Sequence, residues 1–164
     1  MTTLPISIRT VRTSDADAVA GLTEQLGYDV APPVVRERLA RILERSDQRF
    51  LIAEDAGRPV GWLHAAMAEF VEADPFVIIA GLVVDRNCRG RGIGRMLMHH
   101  AEQWARERRC SIVRLWSNAG RVSAHRFYER LGYTHIKTQH AFAKSFESAS
   151  GASVESLVPR IDPV

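Results

Sequence analysis

From Phe76 to Val84 the chain carries no polar side chain. An apolar run of this length and β-branched content fits a central strand covered on both faces. Gly81 interrupts the run, a position that suggests a bulge. Such a strand needs partner strands beside it and helices over it, so it constrains the rest of the fold. Directly after it come Asp85, Arg86, Asn87 and Cys88, and then Arg89-Gly90-Arg91-Gly92-Ile93-Gly94-Arg95. Helical spacing takes over at once. Ile93, Met96, Leu97, His100, Ala101, Trp104 and Ala105 form one stripe, with Arg95, His99, Glu102, Gln103 and Arg106 facing outward.

The flanking segments supply the other layers. Ile6 to Thr10 alternates as a first strand. Ser14, followed by Asp15 and Asp17, starts a helix with Val19, Leu22 and Leu26 on one face and a stop at Gly27. Pro32 and Pro33 open a second helix through Val35, Leu39 and Ile42. A hairpin follows, with strands at 50–53 and 60–68 joined by a turn at 55–58, and then an acidic connection from Glu69 to Asp74. Beyond the long helix, Ser111 to Trp116 reads as a strand. A short helix carries Ala124, Phe127, Tyr128 and Leu131 up to Gly132, and Lys137 to Phe146 reads as a last strand. Trp62 and Trp116, both on strands, are expected in the core. The class is α/β in the mixed, α+β sense: a mostly antiparallel sheet of six or seven strands flanked by about four helices. One domain is expected over 1–146, with a weakly structured tail at 147–164 rich in Ser, Ala and Gly.

The chain has 164 residues, 46% hydrophobic and 25% charged, enough for one domain with its own core. No apolar run approaches the ~20 residues of a membrane span, and the start has no signal-type apolar region, so a cytoplasmic protein is expected. Cys88 and Cys110 have no paired-thiol spacing, and no two histidines have metal-ligand spacing, so no metal site is expected. The net charge is +3 and nearly all of the basic residues are arginine. Guanidinium groups grip oxyanions in bidentate fashion, which suits an anionic cofactor or a nucleic acid.

The glycine-rich loop narrows that choice. Glycines bring backbone N–H groups close to a ligand as an anion-binding concavity, and the first turn of the helix adds a positive dipole end. A phosphate or pyrophosphate suits this arrangement, with Arg86, Arg89, Arg91 and Arg95 around it. The Walker loop is excluded because no Gly-Lys-Ser/Thr follows. The dinucleotide fingerprint fails on its final glycine spacing and on the missing second parallel strand.

Arg89-Gly90-Arg91-Gly92-Ile93-Gly94 resembles the pyrophosphate loop of the GNAT superfamily of acyl-CoA-dependent N-acyltransferases, Arg/Gln-x-x-Gly-x-Gly/Ala. A second block is similar too: Ser117-Asn118, then Ala124 through Tyr133. The order of elements fits over about residues 6 to 146. The resemblance implies that Arg89, Gly90, Arg91, Gly92, Ile93, Gly94 and Arg95 form the loop, with backbone N–H groups of Arg91 to Gly94 holding the pyrophosphate of acetyl-CoA. It implies that the strand edge at Leu82, Val83 and Val84 pairs with the pantetheine arm, and that a main-chain N–H there polarises the thioester carbonyl. Asn118 would touch the CoA arm. Tyr128 would protonate the departing thiolate as general acid. By position alone Tyr128 reads as a packing residue, and it is the matched block that gives it this role.

The reaction implied is transfer of an acetyl group to a primary amine, attacked directly in a ternary complex, since neither cysteine is placed for an acyl-enzyme. An alkyl amine with a pKa near ~10 costs about 4 kcal/mol to deprotonate at pH 7, and a base normally helps. The strand 76–84 has no ionisable side chain, which departs from relatives that carry a base there. Glu69, Glu72, Asp74 and His64 are candidates. Tyr28 and Asp29, between the first two helices, fall where relatives shape the acceptor pocket. The short acidic connection and the lack of an evident peptide groove favour a small-molecule amine. Protein N-terminal or lysine acetylation, and a GNAT domain that binds acyl-CoA without catalysis, remain alternatives. Residues 22–39 loosely echo a helix-turn-helix, but the spacing is about two residues too long and Pro32-Pro33 would fill the reading end. Acetyl-CoA and an amine are the expected partners, with a homodimer open and neither nucleic acid nor membrane expected.

Overall fold

A computed structural model describes residues 5–146 and 154–158. It divides into two compact units, Met1–Leu115 and Trp116–Val164. The first holds a five-stranded sheet in sequence order: β1 (Ser7–Thr10), β2 (Gln48–Asp55), β3 (Arg58–Phe70), β4 (Ala73–Val84) and β5 (Val113–Leu115). The first four strands pair antiparallel, and β5 runs parallel to β4. Helices α1 (Ala16–Gln25) and α2 (Pro32–Leu43) cover one face. They bury Val19, Leu22, Val35 and Leu39 against Phe50, Ile52, Trp62 and Val83. Helix α3 (Ile93–Glu107) covers the other face with Ile93, Leu97, Met98, Ala101, Trp104 and Ala105. The strand 76–84 is thus sandwiched as its composition requires.

Several expectations need correction. Among the described residues the sheet has five strands, not six or seven. Residues 137–146 form no strand and are exposed throughout; a segment that buries no apolar residue and has no ladder for its backbone has nothing to hold it in a sheet. The acidic connection 69–74 is mostly strand: β3 runs to Phe70 and β4 begins at Ala73, leaving Val71 and Glu72 as the turn. On α3, Met98 is buried and His100 exposed, because the stripe turns toward the sheet a residue away from where His100 would join it. Trp62 is core at 7% exposure, but Trp116 lies past the end of β5 and is 60% exposed. Most of the tail at 147–164 lies outside the described residues; Val154–Leu157 is a 3-10 turn.

The second unit contains α4 (Val122–Arg130), closed by Leu131 and Gly132, whose N–H groups return to carbonyls of the last turn.

A charge cluster joins β1, β2 and the start of α1. Arg9 donates to both Asp15 oxygens at 2.8 Å and to Glu54 Oε1 at 2.9 and 2.6 Å, while Asp15 also accepts the Arg12 N–H at 2.6 Å. The Arg9 guanidinium holds the Asp15 carboxyl below its ordinary pKa, against the opposing effect of burial. A depressed carboxylate contributes stability above its unfolded pKa and loses it as pH falls through the folded one. Asp15→Asn is therefore expected to cost roughly 2–3 kcal/mol at pH 7, less than the ~3–5 kcal/mol of a fully enclosed pair, since Arg9 keeps 22% of its side chain exposed. Urea denaturation at pH 7 and below pH 4 checks it: the gap between variant and parent should close at acid pH.

Candidate acyl-donor and acceptor site

The β4 strand is irregular where the sequence placed glycine. His64 pairs with Gly81 but Ala65 pairs with Ile79, so Ala80 is the extra residue of a bulge. Ala80 is exposed, although the other residues from Phe76 to Val84 are buried or half-buried. The β4–β5 ladder stops at the same point, its last pair being Ile79 with Leu115. Among the described residues, β4 beyond the bulge is thus paired only with β3.

The direction of the main chain follows from one bond. Asp85 N–H donates to Val60 C=O at 2.8 Å, so Asp85 faces β3. Alternation along an antiparallel strand then turns the polar groups of Val83 toward β3 and those of Leu82 and Val84 toward the open edge. The Val84 carbonyl accepts from Arg89 Nε at 3.2 Å. Of the three strand residues expected to meet the pantetheine arm, Leu82 and Val84 present backbone there, whereas Val83 contributes a side chain to the core.

Gly81 is required by a close approach. A Cβ at this position would lie 2.6 Å from Cζ3 and 2.7 Å from Cη2 of Trp62, a buried ring packed 5.2 Å from Phe50. Gly81→Ala should cost about 1–3 kcal/mol by overpacking, read as a lower midpoint in urea denaturation with an unchanged slope.

The loop after β4 is held from several sides. Asp85 Oδ1 accepts Asn87 N–H at 2.9 Å, and Arg86 N–H donates to Gln25 Oε1 at 2.9 Å at the end of α1. Cys88 is buried, with the Arg58 guanidinium donating to Sγ at 3.6 Å. Arg91 is paired with Asp55 at 2.6 Å, so its side chain is committed to the scaffold and its backbone N–H is what the loop offers. Gly92 stands at the N-cap of α3 with φ 77° and no side-chain cap. A left-handed N-cap without a capping side chain leaves the first-turn N–H groups of α3 directed at whatever lies before the helix. These residues fit a pyrophosphate: main-chain donors at a helix N-terminus, with Arg89 and Arg95 flanking.

Asn118 and Tyr128 belong to the second unit. Asn118 shapes the turn before α4: its Oδ1 accepts Gly120 N–H at 2.9 Å, and its carbonyl accepts Arg121 N–H and His125 Nε2 at 3.0 Å. Tyr128 is half-buried, its ring 5.1 Å from Phe127 and 6.0 Å from Tyr133. Burial pushes its phenol above the ordinary value, opposed by the positive charge of Arg121. The hydroxyl therefore keeps its proton at neutral pH and can donate it.

Of the base candidates, Glu69, Glu72 and Asp74 stand at the β3–β4 turn. At about 3.3 Å per residue, Asp74 lies roughly 20 Å along β4 from Gly81. His64 stands directly across from Gly81. Its Nε2 is 2.6 Å from Gln48 Oε1 and its ring stacks on Phe50 at 5.2 Å. Gln48 was not legible as a site residue, because only the β2–β3 register brings it to His64.

Comparison with known proteins agrees with this geometry. Residues 17–133 match the acetyltransferase (GNAT) family. An aminoalkylphosphonate N-acetyltransferase of Salmonella typhimurium is 31% identical over 77% of this chain and 83% of its own length. An uncharacterised N-acetyltransferase of Methanocaldococcus jannaschii is 33% identical over 56% of this chain, which spans only 42% of that relative. Among solved structures, an aminoglycoside N-acetyltransferase in complex with CoA superimposes with a TM-score of 0.75 at 19% identity, over 85% of this chain and 95% of that one. With a bulged β4, an open strand edge and a glycine-opened α3 as its structural signature, the chain belongs to the GNAT acetyltransferase family.

Proposed function

We propose that this protein transfers the acetyl group of acetyl-CoA to the primary amine of a small molecule, by direct attack in a ternary complex. The observation that carries the reading is the open β4 edge beside an uncapped helix N-terminus. Ladder pairing with β5 ends at Ile79, and Gly92 opens α3 only a short loop beyond Val84. In this reading the Leu82 and Val84 backbone aligns the pantetheine arm, and the loop from Arg89 to Arg95 holds the pyrophosphate. A main-chain N–H at the strand edge polarises the thioester carbonyl. Asn118 contacts the CoA arm, and Tyr128 supplies the proton taken by the departing sulfur. The aminoalkylphosphonate relative supports a small acceptor carrying a primary amine. Thiol release is the test, with acetyl-CoA and a panel of 2-aminoethylphosphonate, spermidine, tyramine and a lysine peptide. Turnover led by a small amine supports the reading. Turnover of the peptide alone moves it to protein acetylation, and no turnover of any amine refutes it.

A further inference from the structure

We infer that His64, held by Gln48, is the group that accepts the proton lost by the attacking amine. The inference rests on the amine-acetylation reading above and deepens it. Strand β4 offers no ionisable side chain from Phe76 to Val84, so the proton must be taken by a neighbouring element. His64 is the β3 residue paired with Gly81 at the bulge. Gly81 has no side chain, and the Trp62 ring lies over it, so at that pair β4 adds no side chain of its own beside the imidazole.

Burial along this face of β3 shows where it opens. Val60 and Trp62 are buried, whereas His64, Ala66 and Ala68 are only half-covered. His64 is thus the first side chain past the part of the sheet that the helices close. On the opposite face, α3 seals the sheet with Ile93, Leu97 and Met98.

The tautomer follows from chemistry. Gln48 Oε1 can only accept, so Nε2 of His64 carries the hydrogen and Nδ1 presents its lone pair. Stacking on Phe50, with ring planes 25° apart, fixes the plane of the imidazole. Burial lowers the His64 pKa from its ordinary value, which keeps the ring neutral at pH 7. No charge on the covering elements opposes this. Asp17 and Glu24 of α1 and Arg36, Glu37, Arg38 and Arg41 of α2 are all exposed, while the residues those helices turn inward are apolar. On β2 the facing groups are Gln48 and Phe50.

In the step, the amine nitrogen forms a bond to the thioester carbonyl carbon and the carbon–sulfur bond breaks. The nitrogen, acidified as its lone pair is consumed, gives a proton to Nδ1. The sulfur takes one from the Tyr128 hydroxyl, and solvent restores both side chains. Gln48 is a positioning residue that acts through His64.

The experiment uses the full chain, with acetyl-CoA and whichever amine of the panel above the parent turns over fastest. His64→Asn should keep acetyl-CoA affinity within about twofold and lose about 100-fold or more in kcat, the lower bound for a general base. Gln48→Glu places a carboxylate on Nε2–H and should move the acid limb of kcat/KM up by about one pH unit, a change that a packing role would not produce. Turnover by His64→Asn within about threefold of the parent, or an acid limb unmoved in Gln48→Glu, overturns the assignment while the acetylation reading stands. A parent that binds acetyl-CoA but acetylates no amine overturns both.

Discussion

Tyr128→Phe is expected to lower kcat about 10²–10³-fold while acetyl-CoA affinity stays within about twofold. The substitution removes one oxygen and keeps the ring, so the contacts with Phe127 and Tyr133 survive. What is lost is a proton donor. A thiolate leaving without a proton must carry its charge into a partly desolvated site, and that penalty falls on the transition state rather than on donor binding. Burial raises the phenol pKa, so the hydroxyl holds its proton at the working pH but gives it up less readily than a free phenol would. Steady-state kinetics together with a direct binding measurement separate the two effects. A variant with parental kcat removes Tyr128 from the chemistry and returns it to the packing of α4.

Gly92→Val is expected to weaken acetyl-CoA binding about 100-fold or more with only a modest loss of fold stability. No atom lies within 4 Å of a Cβ built at Gly92, so the substitution meets no steric wall. The strain lies in the backbone. At φ 77° a β-branched residue is a conformational outlier costing about 1–2 kcal/mol. The chain relieves this by leaving the left-handed region, which redirects the N–H groups of Ile93, Gly94 and Arg95. Charge-assisted hydrogen bonds contribute about 1.5–3 kcal/mol each, so misdirecting two of them accounts for the expected loss. Thermal unfolding and calorimetric titration of the same preparation distinguish it from a folding defect, which would lower both together.

Local signals carried the parts of this site that are local in sequence. The bulge was legible because Gly81 has no reason to sit inside an apolar strand unless the strand deforms there or something packs closely; both hold, the bulge at Ala80 and the Trp62 ring over Gly81. The α3 N-terminus was legible because its glycines, flanking arginines and helical stripe are contiguous. Elements set by long-range pairing were not. The Arg9–Asp15–Glu54 cluster joins residues 45 positions apart, and the His64–Gln48 contact exists only through the β2–β3 register. Polar residues at the β3–β4 turn hid the true length of that hairpin, because solvent-facing positions near a strand end tolerate charge. At 137–146 a last strand was expected, yet the described structure gives it no ladder.

Calorimetric titration of the purified chain with acetyl-CoA, against dephospho-CoA and NADH, decides whether the β4 edge and the α3 N-terminus bind the acyl donor. Saturable binding of acetyl-CoA near one equivalent, weaker binding of dephospho-CoA and none of NADH are expected if the open β4 edge and the Gly92 N-cap form the acyl-donor site. The absence of binding to any CoA species would contradict that site and leave the glycine-rich loop as a structural turn between β4 and α3.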